Sequence, residues 1–241
     1  MEVVARLLIL IYGKQVLIPY LLDRGIRSID YMIISHFDTD HVGGLLTVMK
    51  ELKVNTTVIS RQIESSENYK RFINIAKEKS TKVIVVGKGD RLKIENNIYF
   101  DILWPNNSNM IMENVLNNNS IVCKMIYKNF SILFTGDIEQ VAERQILNEY
   151  RNNLQVLNSS ILKVAHHGSK SSSIKEFVDN VKPKIALIGV GKNNIFGHPN
   201  ADVIERLNSN KIKIYRTDTD GEISIVINSK GRIININKFI E

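Results

Sequence analysis

Two histidines and two aspartates fall within six residues, His36-Phe37-Asp38-Thr39-Asp40-His41. A structural role accounts for one buried histidine, but not for four such side chains packed this tightly with no cation to neutralise them. The cluster therefore points to metal ligation. Two later places offer ligands of the same kind: Asp137, after the apolar run 131–134, and His166-His167, after the apolar run 161–165. A lone Gly-Asp such as Gly136-Asp137 is more often a helix N-cap, and Ile138 opens a helical pattern. Asp137 becomes a ligand candidate through its place after a strand and the company of the loop and His166. All five histidines lie in candidate segments, His36, His41, His166 and His167 in these and His198 in the stretch Asn194 to Pro199, where a chain using histidine as general surface would scatter them. Hydrolysis at a metal needs such ligands, an open coordination position and a water acidified towards neutrality.

Those side chains need strand ends to hold them. Tyr31-Met32-Ile33-Ile34 is short, apolar and partly β-branched, the pattern of a buried strand. Beyond Gly43-Gly44, residues Leu45, Leu46, Val48, Met49 and Leu52 set a helical pattern. The quartet then sits at the carboxyl end of a strand, where open α/β sheets form their crevice. Further strands are expected over residues 4–11, 56–60, 83–86, 92–94, 98–103, 121–127, 131–135, 161–165, 185–190, 212–215, 223–227 and 233–236. Helices are expected over 19–24, 65–79, 138–150, around Glu176 to Val178 after a cap at Ser172 or Ser173, and over 201–208 capped by Asn200. The Asn-rich stretch 105–119 reads as a surface loop, or as a lid whose apolar residues cover the site. The pattern by itself supports a mixed α/β chain, one domain over residues 1–241.

His36-x-Asp38-x-Asp40-His41 resembles the HxHxDH motif of the metallo-β-lactamase superfamily. Aspartate at the second ligand position is similar to the metallo-hydrolase domain of the ComEC DNA-uptake (competence) proteins and their soluble relatives. Phe134-Thr135-Gly136-Asp137, the stretch Lys163 to Lys170, Gly191-Lys192-Asn193-Asn194, Phe196-Gly197-His198-Pro199 and Tyr215-Arg216-Thr217-Asp218 extend the resemblance, in the family's order, over about residues 16–225. The resemblance implies an αββα sandwich. The N-terminal part is expected to be shortened or atypical, because no Asp-Gly-Gly-like turn precedes His36. It also implies two divalent cations, zinc or manganese. By position, His36 and Asp38 would hold the first, Asp40, His41 and His166 the second, and Asp137 would bridge them. Where many members carry a further histidine ligand this chain has Asn117-Asn118-Asn119-Ser120, so the first site is expected to be weak and to favour harder ions.

Strand alternation would send His166 and His167 to opposite sides, and the resemblance selects His166 as ligand, leaving His167 to steady a ligand or a phosphate oxygen. The turn Gly168-Ser169-Lys170-Ser171-Ser172-Ser173 offers either an anion-binding concavity or an ordinary Ser-rich helix cap. Asn119, His167, Ser169, Lys170 and Lys192 are the candidate substrate contacts, and Asp40 and His198 the candidate catalytic residues. His198 would act as general acid, or else pack on Phe196 as a loop residue. An excess of 32 basic over 25 acidic residues, +7, favours polyanionic partners. The single Cys123 excludes a disulfide within the chain. Arg6, Lys14 and Gln15 break the first apolar stretch, so neither a membrane span nor an export signal is expected, and the expected compartment is the cytoplasm.

The expected function is a metal-dependent hydrolase of phosphodiesters, single-stranded DNA included, in which a hydroxide held between cations about 4 Å apart attacks a polarised phosphoryl group. The alternatives are hydrolysis of a small phosphate ester, and a catalytically weakened module that binds nucleic acid or a partner.

Overall fold

Strands buried on both faces read as near-continuous apolar runs, and parallel pairing follows where a helix returns the chain to the same edge. The computed structural model describes residues 13–61 and 66–239, so the strand expected over residues 4–11 lies outside the described residues. Helix α1 (Ile18–Asp23) carries proline in its first turn, where the missing N–H costs nothing. Strand β1 (Ser28–Ile33), helix α2 (Thr39–Glu51), strand β2 (Lys53–Ser60), helix α3 (Glu67–Glu78) and strand β3 (Lys82–Val86) follow as two parallel crossovers. They give a three-stranded sheet in the order β1-β2-β3.

The next strands are β4 (Arg91–Glu95), β5 (Ile98–Trp104), β6 (Val122–Tyr127), β7 (Phe130–Phe134), β8 (Ile161–Lys163), β9 (Ile185–Ile188) and β10 (Lys213–Arg216). They form a seven-stranded sheet in the order β10-β9-β8-β7-β6-β5-β4. Its pairs are antiparallel from β4 to β7 and parallel from β7 to β10. Helices α4 (Val115–Asn118), α5 (Gln140–Glu149), α6 (Lys175–Val181) and α7 (Ala201–Ser209) fill the connections. A short helix α8 (Thr217–Asp220) leads into the hairpin of β11 (Glu222–Ile227) and β12 (Ile233–Phe239).

The buried clusters define four layers. Leu21 of α1, Met49 of α2 and Phe72 of α3 pack on Met32, Val54 and Ile59 of the small sheet. Val58 and Val86 of that sheet meet Ile102 and Cys123 of the large one. The β11–β12 hairpin continues the inner layer, setting Ile223 and Ile225 against Phe130, Ile132, Ile161 and Leu187. On the outer face Leu133, Leu162 and Ala186 pack against Ile146 of α5, Phe177 of α6 and Val203 and Leu207 of α7. Ile161 facing inward and Leu162 outward is the period of two that a doubly covered strand requires. This is the expected αββα sandwich. Among the described residues no helix is long and apolar enough to cross a membrane.

Three local expectations change. Helix α2 starts at Thr39, four residues ahead of the glycine pair, because Asp38 takes the extended N-cap conformation; Asp40 and His41 ride on its first turn. Helix α5 begins at Gln140 with Glu139 as N-cap residue, which frees Asp137 from a capping role. Neither Ser172 nor Ser173 caps α6: its N-cap residue is Ile174, and the Glu143 carboxylate accepts from the Ser173 and Ile174 N–H groups at 2.6 and 2.8 Å.

Candidate metal centre

Phe37 organises the first loop. Fully buried, it packs edge-on to Tyr69 at 5.1 Å and against Phe72 at 5.3 Å, and Asn68 donates to its carbonyl at 3.0 Å. The Ile121 N–H donates to the Ser35 carbonyl at 2.9 Å, tying this loop to the large sheet. After β7, Gly136 turns with φ +53°, and a Cβ there would come within 2.6 Å of the Ser120 Cβ and 3.2 Å of the Ser35 Cβ. Only glycine lets this turn approach so closely, and the approach carries Asp137 to the loop.

One half of the centre is a cluster of four. Ligand atoms of Asp40, His41, Asp137 and His167 all lie within 4.8 Å of one another. Asp137 Oδ2 is 3.1 Å from His41 Nε2 and 3.4 Å from His167 Nε2, which is 3.3 Å from Asp40 Oδ2. His167 Nδ1 lies 2.6 Å from the Gly189 carbonyl, an acceptor only, so Nδ1 carries the proton and Nε2 turns a lone pair into the cluster. The two imidazole Nε2 atoms stand 3.1 Å apart beside two carboxylates. So many converging lone pairs need a proton or a cation. The electrostatics agree: burial would lower His167, but its hydrogen bonds to Asp137 and Asp40 outweigh that and raise it to about 9. Burial would raise Asp137, yet His167 and His41 hold it well below the usual carboxylate range. The hydrogen bond from His167 brings Asp40 down to about 2.

The other half is built from leftovers. His36 is buried, with Nδ1 at 3.1 Å from the Ser35 hydroxyl, and burial, then the neighbouring His41, lower it to about 3, the neutral ligand form. Among the described residues its Nε2 has no hydrogen-bond partner, and neither does Asp137 Oδ1. Asp38 Oδ2 is 3.6 Å from His36 Nε2. Burial, then Asp40, raises the Asp38 carboxyl. Two orphaned buried ligand atoms, one of them the second oxygen of Asp137, fit a further cation better than an empty core.

Residues 5–192 match the family model of the metallo-β-lactamase superfamily. The chain belongs to that superfamily. It is 35% identical over 211 residues to ComE operon protein 3 of Bacillus subtilis (strain 168), covering 88% of this chain and 26% of that one. It is 27% identical over 215 residues to competence protein ComA of Neisseria gonorrhoeae, covering 89% and 28%. The chain therefore spans about a quarter of the length of these curated relatives. A variant of the CmlA beta-hydroxylase shares the fold, with a TM-score of 0.51 at 11% identity over 79% of this chain and 43% of that one.

Within this metallo-β-lactamase fold, the two adjacent histidines are placed differently from the expected roles. Strand β8 ends at Lys163, and His166 (φ 48°, ψ 46°) and His167 (φ 53°, ψ 20°) are both left-handed, so strand alternation does not reach them. The structure brings His167, not His166, to Asp40, His41 and Asp137. His166 Nδ1 instead faces Glu139 Oε1 at 3.6 Å and the Ser171 hydroxyl at 3.5 Å, and its ring lies 5.9 Å from that of His198. His198 also stacks on Phe196 at 5.9 Å, the packing expected as the alternative to a role as general acid.

Asn119, expected at the substrate, instead ties down the 111–115 segment. Its amide donates to the Ile111 and Val115 carbonyls at 2.7 Å each and accepts from the Ile111 N–H at 3.0 Å. With Ile111 buried and the Trp104 indole donating to the Asn118 carbonyl at 2.7 Å, this stretch is an anchored loop rather than a hinged lid. The Ser-rich turn satisfies its own groups: Ser169 bonds Ser171 at 3.0 Å, Ser172 bonds the Ala165 and Ser169 carbonyls, and Glu143 takes the donors that an anion was expected to meet. Ser169 is buried there, while Lys170 and Lys192 are exposed. Sequence reasoning missed Glu139 and Glu143; Glu139, two residues past Asp137, could have been found by asking what carboxylate follows the ligand on the same turn.

Proposed function

We propose that the chain is a metal-dependent phosphodiesterase acting on nucleic acid. The observation that carries this reading is the division of Asp137: Oδ2 lies within reach of His41 and His167, while among the described residues Oδ1 and the His36 Nε2 have no hydrogen-bond partner. Asp40, His41, Asp137 and His167 would hold one divalent cation, and His36, Asp38 and Asp137 a second. When bound, such a pair polarises a phosphoryl oxygen and acidifies a water towards neutrality. Nitrogen and carboxylate donors in this mixture suit zinc or manganese.

The chain's own groups do the rest. The Gly189 carbonyl keeps the His167 proton on Nδ1 and so holds Nε2 in the ligand form. His198, whose ring lies 5.9 Å from that of His166, would be the proton donor to the leaving oxygen. Glu139 and Ser171 orient His166 beside it. A net charge of +7 with exposed Lys170 and Lys192 near the site favours a polyanionic substrate.

Purified chain loaded with Mn²⁺ or Zn²⁺ is expected to bind one to two cations and to hydrolyse bis-p-nitrophenyl phosphate. Asp137→Ala should lower that turnover more than about 100-fold, since losing a ligand exceeds the 10–100-fold typical of losing a group behind one. Metal-loaded wild type no faster than Asp137→Ala would leave the chain as a binding module.

A further inference from the structure

We infer that the loop tip Ile195-Phe196 is a stacking platform for an unpaired nucleobase beside the metal centre, a reading that rests on the nucleic-acid substrate proposed above. Among the described residues the two most exposed large apolar side chains are Ile195 at 90% and Phe196 at 74%, consecutive in sequence. Exposed single apolar residues need no explanation, but two together at the rim of a reactive site do.

The tip is held, not dangling. Asn194 donates to the His198 carbonyl and accepts from the His198 N–H, both at 2.8 Å, closing the loop at its base. Asn200 N–H donates to the Gly168 carbonyl at 2.8 Å. A Cβ on Gly168 would strike the Pro199 Cβ at 2.6 Å, so the end of the loop lies directly on the turn that carries His167. The Phe196 ring is stacked on His198 with centroids 5.9 Å apart and planes at 21°, and His198 lies 5.9 Å from His166. The Phe196 ring thus lies alongside a candidate site residue and is largely open to solvent.

A fixed aromatic with a free face, with Lys192 on its own loop and Lys170 on the adjoining turn, matches an unpaired base attached to a phosphate chain. Base stacking is sequence-tolerant, so the platform would place a phosphodiester at the metals without reading sequence.

The test measures binding of a fluorescein-labelled single-stranded oligothymidylate by the whole chain at low salt, with chelator present so that nothing is cleaved. Phe196→Ala is expected to weaken binding about 5- to 150-fold. Both proteins should bind an abasic oligomer of the same length equally. Equal affinity of the two proteins for oligothymidylate overturns the platform, and so does a loss just as large on the abasic oligomer. Loss of binding to anionic phospholipid vesicles with DNA binding unchanged would assign the tip to a membrane surface and also overturn it. Turnover of bis-p-nitrophenyl phosphate by wild type is followed in parallel: turnover without a stacking effect removes the platform alone, and a stacking effect without turnover removes the hydrolase and keeps the platform.

Discussion

Around His41 and His167 the donor atoms already converge, whereas among the described residues the buried His36 Nε2 makes no hydrogen bond and lies 3.6 Å from the nearer Asp38 oxygen. The difference follows from what stands behind each group. His167 is fixed through Nδ1 by the Gly189 carbonyl, and its turn is tied to the β7 end by the His166 N–H donating to the Gly136 carbonyl at 3.2 Å. Glu139, the N-cap residue of α5, and Glu143 within it, both buried, grip the following Ser-rich stretch. His36 is buried with the Ser35 hydroxyl behind it, and Asp38 meets that ring at 3.6 Å; Asp40 is no less exposed than Asp38 but lies 3.3 Å from His167 and 3.7 Å from His41. A ligand set whose rotamers are locked in advance binds without losing that freedom later, so the buttressed half should hold its cation more tightly.

Removing ligands one half at a time tests this ordering. His167→Ala should have the larger effect, lowering affinity for the tightly held cation more than about 100-fold, as read from metal content after dialysis against a graded chelator. His36→Ala should cost the weak cation and leave one per chain with affinity unchanged within a few-fold. If His36→Ala strips both cations, the two halves are not separable. His166→Ala should leave metal content intact and slow turnover about 100-fold, through the loss of orientation next to the proton donor. A missing cation in His166→Ala would instead make His166 the ligand and reverse the assignment of the two histidines.

That last contrast marks where the sequence stops being readable. Asp40 and His41 of the candidate cluster were legible because the residue types of the 36–41 stretch, at that density, have no comfortable burial without a cation. Asp137 was legible from its place after an apolar hairpin. The apolar runs gave most of the strands and a mixed α/β chain, but the αββα layering was legible only through the motif resemblance. The choice between His166 and His167 was not, because it turns on two consecutive left-handed residues. That conformation is held by the Gly136 carbonyl and the Gly168–Pro199 contact, both remote in sequence. Asn119 was misread for a similar reason: an amide among other amides gives no sign that a backbone eight residues earlier will take up its donors and acceptor.

A further expected effect concerns the buttress itself. Burial pushes the Glu143 carboxyl up from 4.5 to about 7, against the pull of its Ile174 and Ser173 N–H donors and of Arg206. A carboxyl raised in the folded state stabilises fully below its unfolded value and loses that contribution as pH climbs through the folded one. Glu143 should therefore withdraw about 3 kcal/mol of stability between pH 4.5 and pH 8. Glu143→Gln cannot ionise, and its amide NH₂ faces a backbone donor, which costs about 1–3 kcal/mol at every pH. The urea midpoint of wild type relative to Glu143→Gln should accordingly fall by about 1 M from pH 4.5 to pH 8, at constant m. A midpoint difference that stays flat across that range would mean that the two N–H donors keep Glu143 ionised throughout. The clamp on the histidine turn would then be an ordinary charged helix cap, and the two halves of the centre would differ in their ligands rather than in what holds them.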